Sequence, residues 1–263
     1  MSAPLARKRF GQHFLHDPLV IDRIVTLIRP RPGEHIVEIG PGRGALTDAL
    51  LTASGELDAI EIDRDLAARL RSQYVAQPGF RLQECDALTV DWSALARERG
   101  GALRLVGNLP YNISTPLLFS LLPHADALLD MHFMLQREVV DRITAAPDSE
   151  HYGRLGVMLA PFLHSERLLD VGPGAFQPPP RVQSAVVRMI VRSDVPDWAR
   201  LPEFGRVVAA AFNQRRKQLR NALSALLDAD QITAAGVDPA ARAETLDAAQ
   251  FGALARQAAG VIH

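Results

Sequence analysis

The sequence predicts an α/β protein, a mostly parallel sheet covered by helices, followed by a small all-helical C-terminal domain. Three observations carry this. From about Glu34 to Leu135, short aliphatic runs alternate with helical stretches, the pattern of a parallel sheet with helices on both faces. A glycine-rich turn, Gly40-Pro41-Gly42-Arg43-Gly44, sits where the first run gives way to the first helix after it. Beyond Pro202 only helical periodicity remains.

Taken in order, His35 to Gly40 reads as a strand and Ala45 to Ala53 as a helix. Leu57 to Asp63 is a strand and Arg64 to Tyr74 a helix. Phe80 to Cys85, Leu103 to Gly107 and Ala127 to Leu135 are further strands, with helical segments at Asp91 to Arg99 and Pro116 to Leu122 between them. Arg137 to Thr144 and Arg154 to Phe162 are helical, and Arg167 to Val171 and Ser184 to Val191 are strands. The connection between these two strands holds Gly172-Pro173-Gly174 and Pro178-Pro179-Pro180, which favours an antiparallel return over a helical crossover. Val208, Phe212, Leu219, Leu223 and Leu226 recur at helical spacing, so Glu203 to Leu227 is expected to form one amphipathic helix. A last amphipathic stretch holds Leu246, Phe251 and Leu254. The expected division is 1–192 for the α/β domain with a basic N-terminal arm, 193–202 for a linker, and 203–263 for the helical domain.

Composition narrows the class. The 263 residues are 48% hydrophobic and 22% charged with a net charge of −1, ordinary for a globular chain. Cys85 is the single cysteine, so no internal disulfide forms, which fits a reducing compartment. No apolar run approaches the roughly 18–20 residues that span a bilayer. A cytoplasmic protein is expected. Positive charge clusters at Arg7-Lys8-Arg9 and at Arg215-Arg216-Lys217 with Arg220, and these clusters hold both lysines of the chain. Such patches track phosphates even on a near-neutral protein, although a charge run is as commonly a solvated face. The histidines have no spacing suited to a metal, and no metal site is expected.

Three polar positions fall at strand ends. Glu61 closes the second strand 21 residues after Gly40, where nucleotide-binding α/β domains place a carboxylate on ribose hydroxyls. The spacing G-x-G-x-G differs from the dinucleotide G-x-G-x-x-G, and taken singly the turn fits a plain strand–helix connection equally well. Asp86 follows the third strand, as an acceptor for an adenine amine or as a helix cap. Asn108-Leu109-Pro110-Tyr111 follows the fourth. An exocyclic adenine nitrogen is a poor nucleophile because its lone pair is delocalised. The Asn108 side-chain oxygen and the Leu109 carbonyl together would hold its two protons and turn the lone pair toward an electrophilic methyl. Pro110 fixes the turn, and Tyr111 offers a face for the base.

Together these segments resemble the small-subunit ribosomal RNA adenine dimethyltransferases, the kasugamycin-sensitivity methylases, which are related to the erythromycin-resistance methylases. The resemblance runs through Arg7 to Leu15, Val37 to Thr47, Glu61 to Leu66, Asn108 to Pro116, Phe176 to Val187 and Phe212 to Leu223. It implies a Rossmann-like class I methyltransferase sheet of seven strands with an antiparallel last strand, plus a small helical domain. It implies S-adenosylmethionine as cofactor, S-adenosylhomocysteine as product, and dimethylation of N6 at two adjacent adenosines near the 3′ end of 16S rRNA in a preribosomal small-subunit particle. By the same motifs His13, Leu15, Gly40, Gly42, Glu61, Asp86 and Asn108 are expected on the cofactor, and Tyr111 and Phe176 are expected to sandwich the target adenine. Arg7, Lys8, Arg9, Arg215, Arg216, Lys217 and Arg220 are expected on RNA, with the protein acting as a monomer. The family commonly has Asn where this chain has His13. The rival readings are a large-subunit adenine methylase of the resistance type and an assembly factor that works by binding the particle.

Overall fold

The computed structural model describes residues 13–261, so Arg7, Lys8 and Arg9 lie outside the described residues. In chain order the elements begin with β1 (Phe14–Leu15), α1 (Pro18–Ile28), β2 (His35–Ile39), α2 (Thr47–Ser54), β3 (Leu57–Ile60), α3 (Arg64–Gln73) and β4 (Phe80–Gln83). They continue with α4 (Trp92–Arg99), β5 (Leu103–Asn108), α5 (Ser114–Leu121), β6 (Leu128–Gln136), α6 (Arg137–Thr144) and α7 (Arg154–Leu159). Next come β7 (Leu163–Val171), β8 (Phe176–Gln177), β9 (Ser184–Val191), α8 (Pro202–Asn213), α9 (Leu219–Ala222), α10 (Ala229–Ala234) and α11 (Ala248–Ala258).

Seven strands form one sheet in the order β4-β3-β2-β5-β6-β9-β7. The pairs from β4 through β6 are all parallel, and β9 runs antiparallel to β6. This is the Rossmann-like class I methyltransferase sheet, and the short proline-rich connection does feed an antiparallel strand. The chain leaves β2 toward β3 and β4, then returns to β5 on the other side. The carboxyl ends of β2 and β5 therefore flank the point where strand order reverses, the place where open α/β sheets collect ligands. Local signals set the helix starts. Asp17 accepts from the Leu19 and Val20 amides ahead of α1, and Pro18 takes the first turn. Asp63 and Asp91 cap α3 and α4 in the same way.

By contact density the chain divides into two compact units, one running up to Val140 and including Glu166–Val191, the other of Asp141–Ser165 with the residues from Arg192 onward. This differs from the division expected at 192. Tyr152 Oη donates to the Leu246 carbonyl at 2.6 Å, and the Asp148 amide donates to the Glu244 carbonyl at 2.8 Å. Tyr152 and Val157 share a core with Phe204, Val208, Leu219 and Phe251. Residues 193–202 are likewise no free linker. They contain a 3-10 turn, Asp197–Arg200, whose Trp198 ring lies 5.1 Å from that of Phe204 and presses on Gly252, where a Cβ would fall 2.3 Å from it.

The single helix expected over Glu203 to Leu227 is also corrected. It breaks after Asn213, because the Leu219 and Arg220 amides donate to the carbonyls of Ala241 and Pro239 rather than to the preceding turn. Gln218 makes a β-bridge with Arg242. Arg215, Arg216 and Lys217 therefore sit on an exposed turn, not on the flank of a helix.

Candidate active site

The glycine turn is dictated by backbone sterics. Gly40, Gly42 and Gly44 have φ of +68°, +61° and +86°, left-handed values that a side chain resists. A Cβ on Gly42 would lie 3.2 Å from the Phe14 ring, and one on Gly44 would lie 2.9 Å from the Tyr74 hydroxyl. The Gly42 amide donates to Glu61 Oε2 at 3.2 Å, and the Asp63 amide donates to Glu61 Oε1 at 2.9 Å. Glu61 is 4% exposed, and its burial raises its pKa against the pull of these amides. Glu38 ends in the same cleft at 2% exposure, accepting from Thr47 Oγ1 at 2.6 Å. Burial pushes its carboxyl up to about 7.

Asp86 caps the turn Ala87–Thr89, with Oδ1 accepting from the Leu88 amide at 2.9 Å. The cap reading of Asp86 is thus observed, and the residue also lines the cleft.

Asn108 closes β5. Its Nδ2 donates to the main-chain carbonyl of His13 at 2.9 Å. A carbonyl only accepts, so the amide nitrogen must face it and Oδ1 turns the other way. Tyr111 bonds through its hydroxyl to Ser184 Oγ at 2.9 Å, and its ring lies 5.7 Å from that of His13 at an interplanar angle of 31°. Phe176 does not reach this place. It is 3% exposed, its main chain pairs with Leu15, and its side chain belongs to a core with Leu15, Ile24 and Met134. The sandwich partner expected opposite Tyr111 is therefore a core residue in this arrangement.

One cleft, open to solvent, joins these groups. His13, Leu15, Gly40, Gly42, Glu61, Asp86 and the whole of Asn108 to Tyr111 line it. It takes apolar walls from Ile62, 46% exposed despite its size, and from Phe14, over which the Arg43 guanidinium sits 4.3 Å from the ring centre. Among the described residues no group of His, Cys, Asp or Glu is arranged to hold a metal, and no helix is long and apolar enough to cross a membrane.

Residues 4–259 match the family model described as "Ribosomal RNA adenine dimethylase". The chain belongs to this family. It is 53% identical over 251 residues to "Ribosomal RNA small subunit methyltransferase A" of Pseudomonas syringae pv. tomato, covering 95% of this chain and 93% of that one. The protein of the same name from Methylococcus capsulatus is 51% identical, over 95% and 97%. Among solved structures, a dimethyladenosine transferase from Plasmodium falciparum shares the fold with a TM-score of 0.75 at 23% identity, over 92% of this chain and 96% of that one. The 23S rRNA methyltransferase ErmE aligns with a TM-score of 0.71 at 25% identity, over 93% and 98%.

Sequence reasoning about this dimethylase missed four contributors to the geometry of the cleft. Glu38 looked like an ordinary strand residue, although its place just before Gly40 was a usable signal. Ile62, between Glu61 and Asp63, is an apolar residue where a strand has already ended. The pairing of β1 with β8, Phe14 to Gln177 and Leu15 to Phe176, is a two-residue ladder with no pattern of its own. Ser184 is the fourth. In the second unit, Arg215 is tied to Glu244 at 2.8 Å, whereas Arg216, Lys217 and Arg220 are exposed and make no ion pair among the described residues.

Proposed function

We propose that this dimethylase transfers methyl groups from S-adenosylmethionine to N6 of two adjacent adenosines near the 3′ end of small-subunit rRNA, acting as a cytoplasmic monomer on a precursor particle. The observation that carries the chemistry is the Asn108 carboxamide, which lines the cleft and whose nitrogen is occupied by the His13 carbonyl, so that its oxygen is the atom free to accept from a target amine.

The donor set suits the cofactor. Gly40 and Gly42 let an extended ligand approach the main chain, Glu61 accepts from ribose hydroxyls, Asp86 accepts from an adenine amine through the oxygen not spent on Leu88, and Ile62 packs against the ring. S-adenosylmethionine supplies an electrophilic methyl group. The protein's part is to aim the target amine. Asn108 Oδ1 accepts one N6 proton and the Leu109 carbonyl the other, drawing the nitrogen out of conjugation so that its lone pair points along the line of transfer. No charged base is needed, because the nitrogen becomes acidic only once it carries the methyl, and its proton then leaves to water. Holding two reactants in line is worth on the order of 7–11 kcal/mol of barrier. Tyr111 stacks on the extruded base, and stacking worth about 1–3 kcal/mol offsets a similar cost of unstacking. Arg216, Lys217 and Arg220 supply phosphate contacts.

The test is methyl transfer onto small subunits from cells lacking the modification, followed by nucleoside mapping. Label in N6,N6-dimethyladenosine at two adjacent positions is expected. Unlabelled small subunits would remove the reading, and label on large-subunit RNA would replace it with the resistance-type one.

A further inference from the structure

The segment between β8 and β9 reaches one aromatic ring from both of its ends. At its start, the Pro178 carbonyl accepts from His13 Nδ1 at 2.8 Å. Since that carbonyl cannot donate, Nδ1 carries the proton, which fixes the tautomer and the ring plane. The ring so held lies against Tyr111. At the other end, Ser184 opens β9, is buried, and bonds the Tyr111 hydroxyl at 2.9 Å. His13 also touches the first residue of the same tetrapeptide, through the carbonyl that holds Asn108 Nδ2. Its own segment is pinned by the ladder of β1 on β8.

We propose that His13 and Ser184 are positioning residues of the target-base subsite, with the His13 imidazole bracing Tyr111. The inference rests on the reading that an adenine enters beside Asn108 and Tyr111. A tyrosine held at its hydroxyl by β9 and along its ring by His13 loses no rotamer freedom when the base arrives. Its hydroxyl is committed to Ser184, so it moves no proton in the reaction. Burial raises the Tyr111 pKa, in keeping with a phenol that stays neutral.

The experiment combines transfer kinetics on unmethylated small subunits with direct titration of S-adenosylhomocysteine. Ser184→Ala and Tyr111→Phe each delete one hydrogen bond, so each should lower kcat/KM for RNA roughly two- to twelvefold. Because they delete the same bond, the double variant should fall no further than either single one. Ser184→Thr, which keeps the hydroxyl, should recover most of the loss. His13→Phe keeps the ring and should retain more transfer than His13→Asn, which keeps a polar group without the ring. Affinity for S-adenosylhomocysteine should stay within about twofold in the Ser184 and Tyr111 variants. Multiplying losses at Ser184 and Tyr111 would overturn the proposal. So would a His13→Asn protein that outperforms His13→Phe while cofactor affinity follows the loss. A wild-type protein that labels no adenosine would sink the parent reading and this one together, whereas an active wild type with multiplying losses sinks this one alone.

Discussion

The two walls of the cleft are held by contacts of very different range. On the wall proposed for the cofactor, Thr47 reaches Glu38 across nine residues, the Gly42 amide reaches Glu61 across 19, and the Asp63 amide reaches Glu61 across two. On the wall proposed for the base, Asn108 reaches His13 across 95 residues, Tyr111 reaches Ser184 across 73, and His13 reaches Pro178 across 165. These contacts of the first wall form once β2 and β3 pair. The second requires His13, β5 and the segment ahead of β9 to meet, and closing longer loops costs more chain entropy. The cofactor wall is therefore a property of the sheet, and the base wall a property of its periphery, where local opening is easiest.

The comparison breaks most visibly at Asn108. An Asn108→Ala protein should lose transfer by on the order of 10²- to 10³-fold, as when a preorganised polar group at a reacting centre is removed, while particle binding by filter retention stays near wild type. Next comes Gly42→Ala. Its left-handed backbone costs a side chain roughly 1–2 kcal/mol, and the new Cβ meets Phe14 at 3.2 Å. Cofactor affinity, measured calorimetrically, should fall about five- to thirtyfold.

Reversing Arg216 and Lys217 to Glu alters no residue that lines the cleft. Binding to small subunits should weaken by about tenfold at low salt, and the slope of log affinity against log salt should flatten by about 1 for each phosphate no longer neutralised. S-adenosylhomocysteine binding should be unchanged. An unaltered salt slope would remove these residues from the RNA interface.

The smallest effect on transfer is expected at Glu38, where the readout is stability. Its carboxyl titrates near 7 when folded, against 4.5 for an ordinary glutamate. The folded protein therefore keeps the proton after the unfolded chain has released it. The stability this contributes is full below pH 4.5 and lost as pH rises through 7, by up to about 3 kcal/mol. Glu38→Gln should flatten that decline in denaturant titrations between pH 5 and 8 and leave cofactor affinity within about threefold.

The range of contacts also explains what could be read in advance. Gly40, Glu61 and Asn108 sit where apolar runs stop, so alternation alone places them on neighbouring strand ends, and the strand Ser184–Val191 was legible to the residue. The burial of Val208, Leu219 and Leu223 was legible too. Their continuity as one helix was not, because a periodic apolar face survives a break, and the amides that make the break bond to residues about 20 positions away. The membership of Tyr152 in the helical core depends on Leu246, and no local pattern encodes that. Phe176 shows the limit of motif transfer. The resemblance implies a role for its ring, but packing against Leu15 decides where the ring lies.

The central claim is the orientation of one carboxamide. A crystal structure with S-adenosylhomocysteine and adenosine bound should place Asn108 Oδ1 about 2.7–3.2 Å from the adenosine N6, with Nδ2 still on the His13 carbonyl. An adenosine seated with N6 away from Asn108, or an amide whose nitrogen has left His13 for the base, would contradict it.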